Sequence, residues 1–490
     1  MTTIHRWRAF SVLAVAYFMT IVDLTIVNVS LPSIGRDLRF SESGLQWVVT
    51  AYGVTFGGLL LLGGRAADAL GRRRVFLLGL VVFTAASLAC ALARDDTFLV
   101  VMRGVQGAGA AIVLPAALSI VMNMFTEGAE RNKALGLWGA IGASGATIGL
   151  ITGGLVTRYL GWEYIFYLNI PTGLAALMLA PRVVPESRIE TLRRRFDSLG
   201  ALTVTAGLLL LVYGISTAPQ DGWGAAKSVG SLTAGGALLI AFLVIEARAQ
   251  SPLLPLRILR MRTVAGADSA GFLLGGSFYA FVFVGTLYMQ QVLGYSALQT
   301  GLAWLATSLT SVALAGLSQL LVGRVGSAPI LAAGMAMISG GTLWAAHIGV
   351  HGRFWADLAG PLFVTGAGTA FAFIPISIAG LTGVSARDAG LASGLLNTAQ
   401  QLGGAIGVAV TSTVAASRAG ALAAAGRAPD VALTGGFRDA FYVCAALAAL
   451  GVLIGGLIIP RRTTALTQRL EPAVAASAAD KVEYPDAIVN

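Results

Sequence analysis

Residues 44–93 read GLQWVVTAYGVTFGGLLLLGGRAADALGRRRVFLLGLVVFTAASLACALA, and this stretch decides the fold. It holds two apolar runs, 44–63 and 75–93, and all of its charged residues lie in the short segment between them. A helix of about 20 apolar residues spans the hydrocarbon core of a bilayer. The stretch therefore predicts two transmembrane helices joined by a charged loop at the membrane surface.

The same pattern repeats along the chain. Of the 490 residues, 56% are hydrophobic and only 11% are charged, whereas soluble domains carry about 25% charged residues. Mean hydropathy is +0.79. The runs and the residues that interrupt them predict an all-α polytopic membrane protein with fourteen transmembrane helices. These lie at 9–31, 44–63, 75–93, 97–121, 134–157, 163–181, 198–217, 228–246, 263–291, 298–321, 329–348, 355–380, 390–417 and 437–459.

Lysine and arginine are distributed unevenly between the two sides of the predicted membrane. With the N-terminus inside, 23 of these residues fall in inner segments and 9 in outer loops, and Arg103 lies within a helix. Short cytoplasmic loops are enriched in such residues. The bias predicts a multi-pass protein of the cytoplasmic membrane with both termini in the cytoplasm.

A weak internal repeat indicates how the helices are grouped. Gly323–Gly326 resembles a degenerate copy of the loop Gly64–Arg74, and the segment 131–136 resembles 387–390. Two parallel six-helix repeats are a recurrent transporter plan. We therefore expect a first six-helix bundle (1–181), two additional helices with basic cytoplasmic loops (182–262), a second six-helix bundle (263–460) and a flexible cytoplasmic tail (461–490).

Two charged residues lie inside predicted helices. Asp23 is in the first helix and Arg103 is in the fourth. A charge within the membrane is costly and usually functional, although a structural aspartate bonded to neighbouring helices is the alternative. At about 1.5 Å per residue, both lie roughly 9–12 Å below the outer surface, so they are expected to be neighbours. A movement that separates them would let Asp23 take up or release a proton.

The loop between the second and third helices combines glycines with charges. Gly64 and Gly71 permit a tight turn. The run Arg72 to Arg74 can bond helix C-terminal carbonyls and pair with Asp68. This spacing favours a latch over a simple positive anchor at the inner surface.

The fifth helix carries regularly spaced glycines, which allow close helix contact. They are Gly136, Gly145, Gly149, Gly153 and Gly154. Generic membrane helix packing would explain scattered small residues, but it explains this spacing less well.

Taken together, these motifs resemble the fourteen-helix drug:proton antiporter family of the major facilitator superfamily over roughly residues 9–460. The resemblance implies the major facilitator fold. It implies that Asp23 is coupled to protonation, that the 64–74 loop holds one conformation closed, and that the glycines of the fifth helix form an antiporter motif. The family has a proline where this chain has Leu150, which puts the expected helix kink in doubt.

The sequence offers further candidates for a proton path and for a substrate cavity. Asp268 lies in the cytoplasmic third of its helix and is either the inner member of a two-carboxylate proton relay or a cap near the interface. Polar and aromatic residues in several helices are candidates to line a substrate cavity. They are Asn28, Tyr52, Gln106, Tyr279, Asn397 and Gln401.

These features predict a proton-driven antiporter that exports lipophilic, cationic drugs or natural products by alternating access. Export of one dedicated metabolite and a non-transporting sensor on the same fold are the alternatives. No Gly-Lys dipeptide occurs, so the chain has no P-loop of an ATP-driven pump. We expect no enzyme activity, no cofactor, no metal site and no nucleic-acid partner, and a monomer whose partners are protons, the small substrate and the bilayer.

Overall fold

The computed structural model describes residues 3–125, 129–187, 198–249, 259–384 and 389–457. The predicted tail, 461–490, lies outside these ranges. The described residues form helices and no strand. The fourteen long helices are α1 (Thr3–Asp37), α2 (Trp47–Leu70), α3 (Arg72–Ala91), α4 (Asp96–Met124), α5 (Ala129–Tyr159), α6 (Asn169–Val183), α7 (Ser198–Asp221), α8 (Ala226–Arg248), α9 (Arg262–Leu287), α10 (Ala297–Val325), α11 (Ser327–Ala345), α12 (Ala359–Leu381), α13 (Ala389–Ala424) and α14 (Pro429–Leu457).

Short helical segments complete some of the spans. Glu163–Tyr167 precedes α6, a π-helical turn at Tyr288–Val292 continues α9, and another at Phe354–Leu358 precedes α12. Among the described residues, thirteen spans are long and apolar enough to cross a membrane. The remaining helix, α5, has 31 residues, and the chain carries no charge from Ala134 to Thr157. The prediction of an all-α polytopic membrane protein is confirmed.

Glycine turns mark corresponding points of the two halves. Gly71 separates α2 from α3 with φ +109°, and Gly326 separates α10 from α11 with φ +88°. A side chain with a Cβ rarely adopts such an angle, so both turns favour glycine. These positions belong to the two loops that the sequence repeat relates.

The first six and the last six helices form two groups. In the first, α1 packs on α5 and α6, and α4 packs on α2 and α3. In the second, α9 packs on α13 and α14, and α11 packs on α12 and α14. Helix α7 contacts α2 of the first group and α13 of the second, and α8 packs on the far side of α7.

We use inner end for the end that the lysine and arginine bias places in the cytoplasm, and outer end for the other. At the outer end one buried apolar cluster includes residues of both halves, such as Val29 and Leu31 of α1 and Phe283 and Leu287 of α9. Towards the inner end the two halves have separate large clusters. The structure is therefore closed at its outer end.

Candidate functional site

The structure brings Asp23 and Arg103 together. The Arg103 Nη1 group donates to Asp23 Oδ2 at 2.8 Å, and the two side chains are 0% and 1% exposed. The pair lies where α1 meets α4 within the first bundle. A buried charge requires a close partner, and each of these residues provides one for the other.

Two side-chain amides complete the coordination of the Asp23 carboxylate. Gln106 Nε2 and Asn169 Nδ2 donate to Asp23 Oδ1 at 2.8 and 2.7 Å. Both amides also donate to Ser87 Oγ, at 2.6 and 3.2 Å. We call Asp23, Arg103, Gln106, Asn169 and Ser87 the buried polar cluster. It joins α1, α3, α4 and α6, so any movement between these helices would alter the hydrogen bonds to Asp23.

The guanidinium group of Arg103 makes further contacts. Its Nε donates to the Val48 carbonyl at 3.0 Å, and its Nη1 donates to Gln106 Oε1 at 2.6 Å. The Tyr52 ring lies 4.3 Å from the guanidinium carbon, which is a cation–π distance. The sequence suggested Tyr52 and Gln106 as cavity residues. In this structure both are buried against Arg103, because Arg103 needs several partners away from water.

Asp268 has a different environment. It lies on α9 and is 7% exposed. Neither carboxylate oxygen has a hydrogen-bond partner among the described residues. One turn further along α9, Gly271 lies beside Gln400 of α13, whose Nε2 also lacks a described partner. The carboxyl group of Asp23 is thus fully coordinated, whereas that of Asp268 has no described partner, and a buried unpaired charge is costly.

Aromatic residues of both halves lie below the closed outer end. Tyr17 of α1 stacks on Trp138 of α5, with ring centroids 4.3 Å apart and 6° between the planes. Tyr279 of α9, in the other half, packs against Gly404 of α13. We call the rings of Tyr17, Trp138 and Tyr279 the aromatic wall.

The other proposed cavity residues lie at different levels. Asn397 is exposed on α13 and donates to its own helix at Ser393. Gln401, one turn later, is 7% exposed and packs beside Gly57 of α2. Asn28 lies nearer the outer end, where its Nδ2 donates to the Leu24 carbonyl.

The 64–74 loop is fastened to the segment that follows α6. The Arg73 backbone N–H donates to Glu186 Oε1 at 3.1 Å, and the Arg73 and Arg74 side chains each lie 3.8 Å from Glu186 Oε2. Arg73 Nη1 also donates to the Val184 carbonyl at 3.2 Å. The expected bonds to helix C-terminal carbonyls are therefore present.

Other residues of the loop lie against the same segment or against a neighbouring helix. The Arg72 backbone N–H donates to the Ser187 carbonyl at 3.0 Å. A Cβ on Gly71 would lie 2.9 Å from Glu186 Oε1. The side chain of Asp68 lies outside what the structure describes, and Gly64 packs near Pro115. Sequence reasoning missed Glu186, although an acidic residue on the same side of the membrane as an arginine-rich loop is a usable signal.

The glycines of α5 serve two interfaces. Gly145, Gly149 and Gly153 pack against α1, where a Cβ on Gly149 would lie 3.0 Å from the Val22 carbonyl. Gly154 faces α10 instead, and its Cβ would lie 2.7 Å from the Ala297 carbonyl. Gly136 has open space around its Cβ position. Helix α5 is continuous through Leu150, consistent with the absence of proline there.

A cleft of about 840 Å³ indents the outer surface between the halves. Its walls include Arg36, Arg158 and Tyr295. Gln290 also lines it, and its Nε2 donates across the halves to the Val29 carbonyl of α1 at 2.8 Å. This bond must break if the outer end opens at this point.

Comparison with known proteins places this geometry in a family. The model of the Major Facilitator Superfamily matches residues 13–408. The chain is 40% identical to the cephamycin export protein CmcT of Amycolatopsis lactamdurans over 82% of this chain and 83% of that protein. It is 37% identical to the puromycin resistance protein pur8 of Streptomyces alboniger, over 92% and 90%.

Solved structures agree on the fold. An auto-inhibited POT family peptide transporter superposes with a TM-score of 0.65 at 15% identity, over 94% of this chain and 97% of the other. A bacterial homologue of the human lysosomal transporter Spinster, described as inward-facing and unoccupied, gives 0.63 at 14% identity, over 94% and 98%. The family model and the relatives together show that this chain belongs to the major facilitator superfamily and is a membrane transporter, not an enzyme.

Proposed function

We propose that the chain is a proton-driven antiporter that exports lipophilic, cationic small molecules from the cytoplasm. The relatives support export, because they include a cephamycin exporter, a puromycin resistance protein and a tetracenomycin C resistance and export protein. The observation that carries proton coupling is the buried polar cluster. It places a titratable carboxyl group and a permanent cation in direct contact inside a bundle that must move.

The cluster provides a mechanism for coupling. In the outer-closed conformation three side chains donate hydrogen bonds to the carboxyl oxygens of Asp23. Opening of the outer end would shift α1 against α4, weaken the contact with Arg103 and admit water. Asp23 would then bind a proton from outside, and return to the closed state would release it. One proton moving across 100 mV supplies about 2.3 kcal/mol.

Asp268 is the proposed inner member of the path. It is close to the inner end, buried and without a described hydrogen-bond partner, so a proton on it would remove an uncompensated charge. The aromatic wall formed by Tyr17, Trp138 and Tyr279 supports a substrate site for flat lipophilic cations between the halves. We propose that the protein acts as a monomer in the cytoplasmic membrane, with both termini inside.

Export of a single antibiotic is the second candidate. The names of several relatives, which refer to one compound each, favour this candidate. The multidrug resistance protein Stp of Mycobacterium tuberculosis, which is 35% identical, favours export of several compounds. A panel of unrelated dyes and antibiotics separates the two. Broad export moves several compounds, and dedicated export moves one.

The test of coupling uses inverted membrane vesicles with an imposed pH gradient and ethidium as the probe. We expect gradient-dependent ethidium uptake that is lost in Asp23→Asn. The matched control is Asp37→Asn, on the same helix but exposed at the outer end, where it accepts a hydrogen bond from Trp162. Uptake that persists unchanged in Asp23→Asn would contradict the role of Asp23, and uptake that ignores the gradient would contradict antiport.

A further inference from the structure

We propose that the cleft between the halves at the outer surface, here called the outer cleft, binds a phosphate group, and that this group stabilises the closed outer end. The phosphate belongs either to an anionic lipid headgroup of the outer leaflet or to a soluble ester, since both present the same oxygens. The outer cleft does not include the buried polar cluster or Asp268 among its described lining residues, so this ligand site is distinct from the proton path.

The outer cleft carries two positive charges that membrane topology does not explain. Arg36 and Arg158 line it, and none of its described lining residues is acidic. Arg36 bonds to Pro32 and Ser33 of its own helix, and the Arg158 guanidinium lies 6.0 Å from the ring of its neighbour Tyr159. Neither arginine has a carboxylate partner in the described part of the chain. Because outer segments are normally poor in arginine, two such residues in one cleft indicate a site for an anion.

The two arginines belong to the same wall of the outer cleft. Helices α1 and α5 are joined just below them by a hydrogen bond of 2.6 Å between the Ser30 and Thr157 hydroxyls. Arg158 directly follows Thr157, and Arg36 lies less than two turns beyond Ser30. A guanidinium group presents a planar set of donors that matches the oxygens of a phosphate. The first half therefore supplies the charge and the strongest donors of the site.

The opposite wall belongs to the second half and supplies uncharged donors. Gln290 of the π-helical turn and Gln299 at the start of α10 both line the outer cleft. Gln290 Nε2 donates to the Val29 carbonyl, and Gln299 Oε1 accepts from the Ser296 backbone N–H. Because a side-chain amide has two N–H donors, each glutamine retains at least one for a bound oxygen. A phosphate in the cleft can thus contact both halves.

A group held between these two walls distinguishes the closed outer end from the open one. The bond from Gln290 to Val29 already joins the walls in the closed state. Opening would separate α1 and α5 from α9 and α10, so a bound phosphate would lose the contacts of one wall. A ligand shifts an equilibrium towards the state that it binds more tightly. A bound phosphate therefore stabilises the closed outer end.

The surface below the outer cleft favours a lipid as the source of the phosphate. Tyr159 and Leu155 lie one turn apart on α5 and are 69% and 42% exposed. On α10, Leu302 is 48% exposed and lies one turn deeper than Leu298, which lines the cleft. These side chains provide an apolar surface for acyl chains. The headgroup of a lipid bound there would lie at the level of the two arginines.

The experiment follows closure of the outer end by cysteine labelling in lipid nanodiscs. Leu287→Cys reports opening because Leu287 is buried in the apolar cluster at the outer end, and the native Cys90 and Cys444 are replaced by alanine. The nanodiscs contain phosphatidylcholine alone or phosphatidylcholine mixed with phosphatidylglycerol. We expect phosphatidylglycerol to slow labelling by an impermeant maleimide about tenfold, since opening would break charge-assisted hydrogen bonds to the phosphate.

The two arginines are tested together against a pair with the same charge. The variant Arg36→Gln/Arg158→Gln should label at the same rate in both kinds of nanodisc. The matched control is Arg94→Gln/Arg353→Gln, which removes two exposed arginines of the outer loops that do not line the outer cleft. This control should keep the slowing by phosphatidylglycerol. The two variants change the net charge equally, so a difference between them is due to position.

A second arm separates the two sources of phosphate. Glycerol phosphate is added to nanodiscs of phosphatidylcholine alone. Slower labelling there supports the site and assigns it to a soluble ester, whereas slowing by phosphatidylglycerol only assigns it to a lipid.

Three results would overturn the proposal. They are labelling that neither anion slows, slowing that persists in Arg36→Gln/Arg158→Gln, and slowing that is lost equally in the matched control, which would indicate a general effect of surface charge. Labelling reports the conformation of the outer end and not transport, so each result can be read whether or not the proposed export is correct.

Discussion

Replacement of either member of the Asp23–Arg103 pair should destabilise the protein strongly. Replacement of both members should lower the free energy of unfolding by no more than replacement of one. The two groups are 2.8 Å apart and at most 1% exposed. Arg103→Leu leaves the carboxylate with its two amide donors but no cation, and removing one partner of a buried pair costs about 3–5 kcal/mol. Asp23→Leu leaves a buried guanidinium and should cost about the same.

The double variant shows whether Asp23 and Arg103 stabilise each other or contribute to stability independently. With both charges gone, Gln106 and Asn169 still have Ser87 Oγ as an acceptor at 2.6 and 3.2 Å. The free energy of unfolding of the double variant should therefore lie no more than about 3–5 kcal/mol below that of the parent. If the two residues acted independently, the losses would add to about 6–10 kcal/mol.

The native cysteines provide the assay. Cys90 and Cys444 are both 0% exposed, so a thiol-reactive fluorogenic dye reports unfolding of the detergent-solubilised protein without an added label. The unfolding temperature of the double variant should be no lower than that of the less stable single variant. If the two decreases in Tm simply add, the residues do not stabilise one another and the reasoning about the buried polar cluster is wrong.

Three further substitutions test separate parts of the structure. Glu186→Gln weakens two ion pairs to the 64–74 loop, each worth about 1 kcal/mol or less at this exposure, so it should slow transport while folding is retained, as measured by vesicle uptake and thermal unfolding. Gly153→Leu introduces a side chain where α5 touches α1 and should abolish folded yield, as measured by size-exclusion chromatography. Gln290→Leu removes the hydrogen bond to the Val29 carbonyl across the outer end, which contributes about 0.5–1.5 kcal/mol. Labelling of a cysteine introduced at the outer end by an impermeant maleimide should then increase roughly two- to tenfold.

Each substitution has a control in the same chain. Glu130→Gln removes a more exposed ion pair with Arg6 and should not slow transport. Gly340→Leu adds the same side chain as Gly153→Leu at an open position and should preserve folded yield. Gln291→Leu alters the exposed neighbour of Gln290 and should leave labelling unchanged. If a control and its test variant behave alike, the corresponding contact does not have the proposed effect.

The sequence predicted the positions of the spans well because hydropathy reports the length of apolar chain that a bilayer can accept. It also predicted that Asp23 and Arg103 are neighbours, since depth follows from the rise per residue of a straight helix. It could not identify the remaining members of the buried polar cluster. Asn169 and Ser87 are short polar residues of a kind that occurs in many membrane helices, and only the crossing of α1, α3, α4 and α6 brings them together.

Lateral neighbours were beyond the reach of the sequence for a related reason. Apolar residues that face lipid and those that face another helix have the same hydropathy. The sequence therefore predicted that α7 spans the membrane but not which helices it contacts. Its contacts with Val54 and Ala409 depend on the shape of two distant helices. The carboxyl group of Glu186 was missed because its partners are separated from it by more than a hundred residues, as in the bond to Arg73.

The position of α7 and α8 also bears on how a fourteen-helix chain is related to a twelve-helix one. The pair is a hairpin whose two ends are both directed to the inner side, and α8 packs almost entirely on α7. Because the number of added crossings is even, such an insertion between the halves leaves the membrane orientation of every later helix unchanged. A hairpin of this kind can therefore be gained or lost as a module, without any change in the path of the chain through the second six helices.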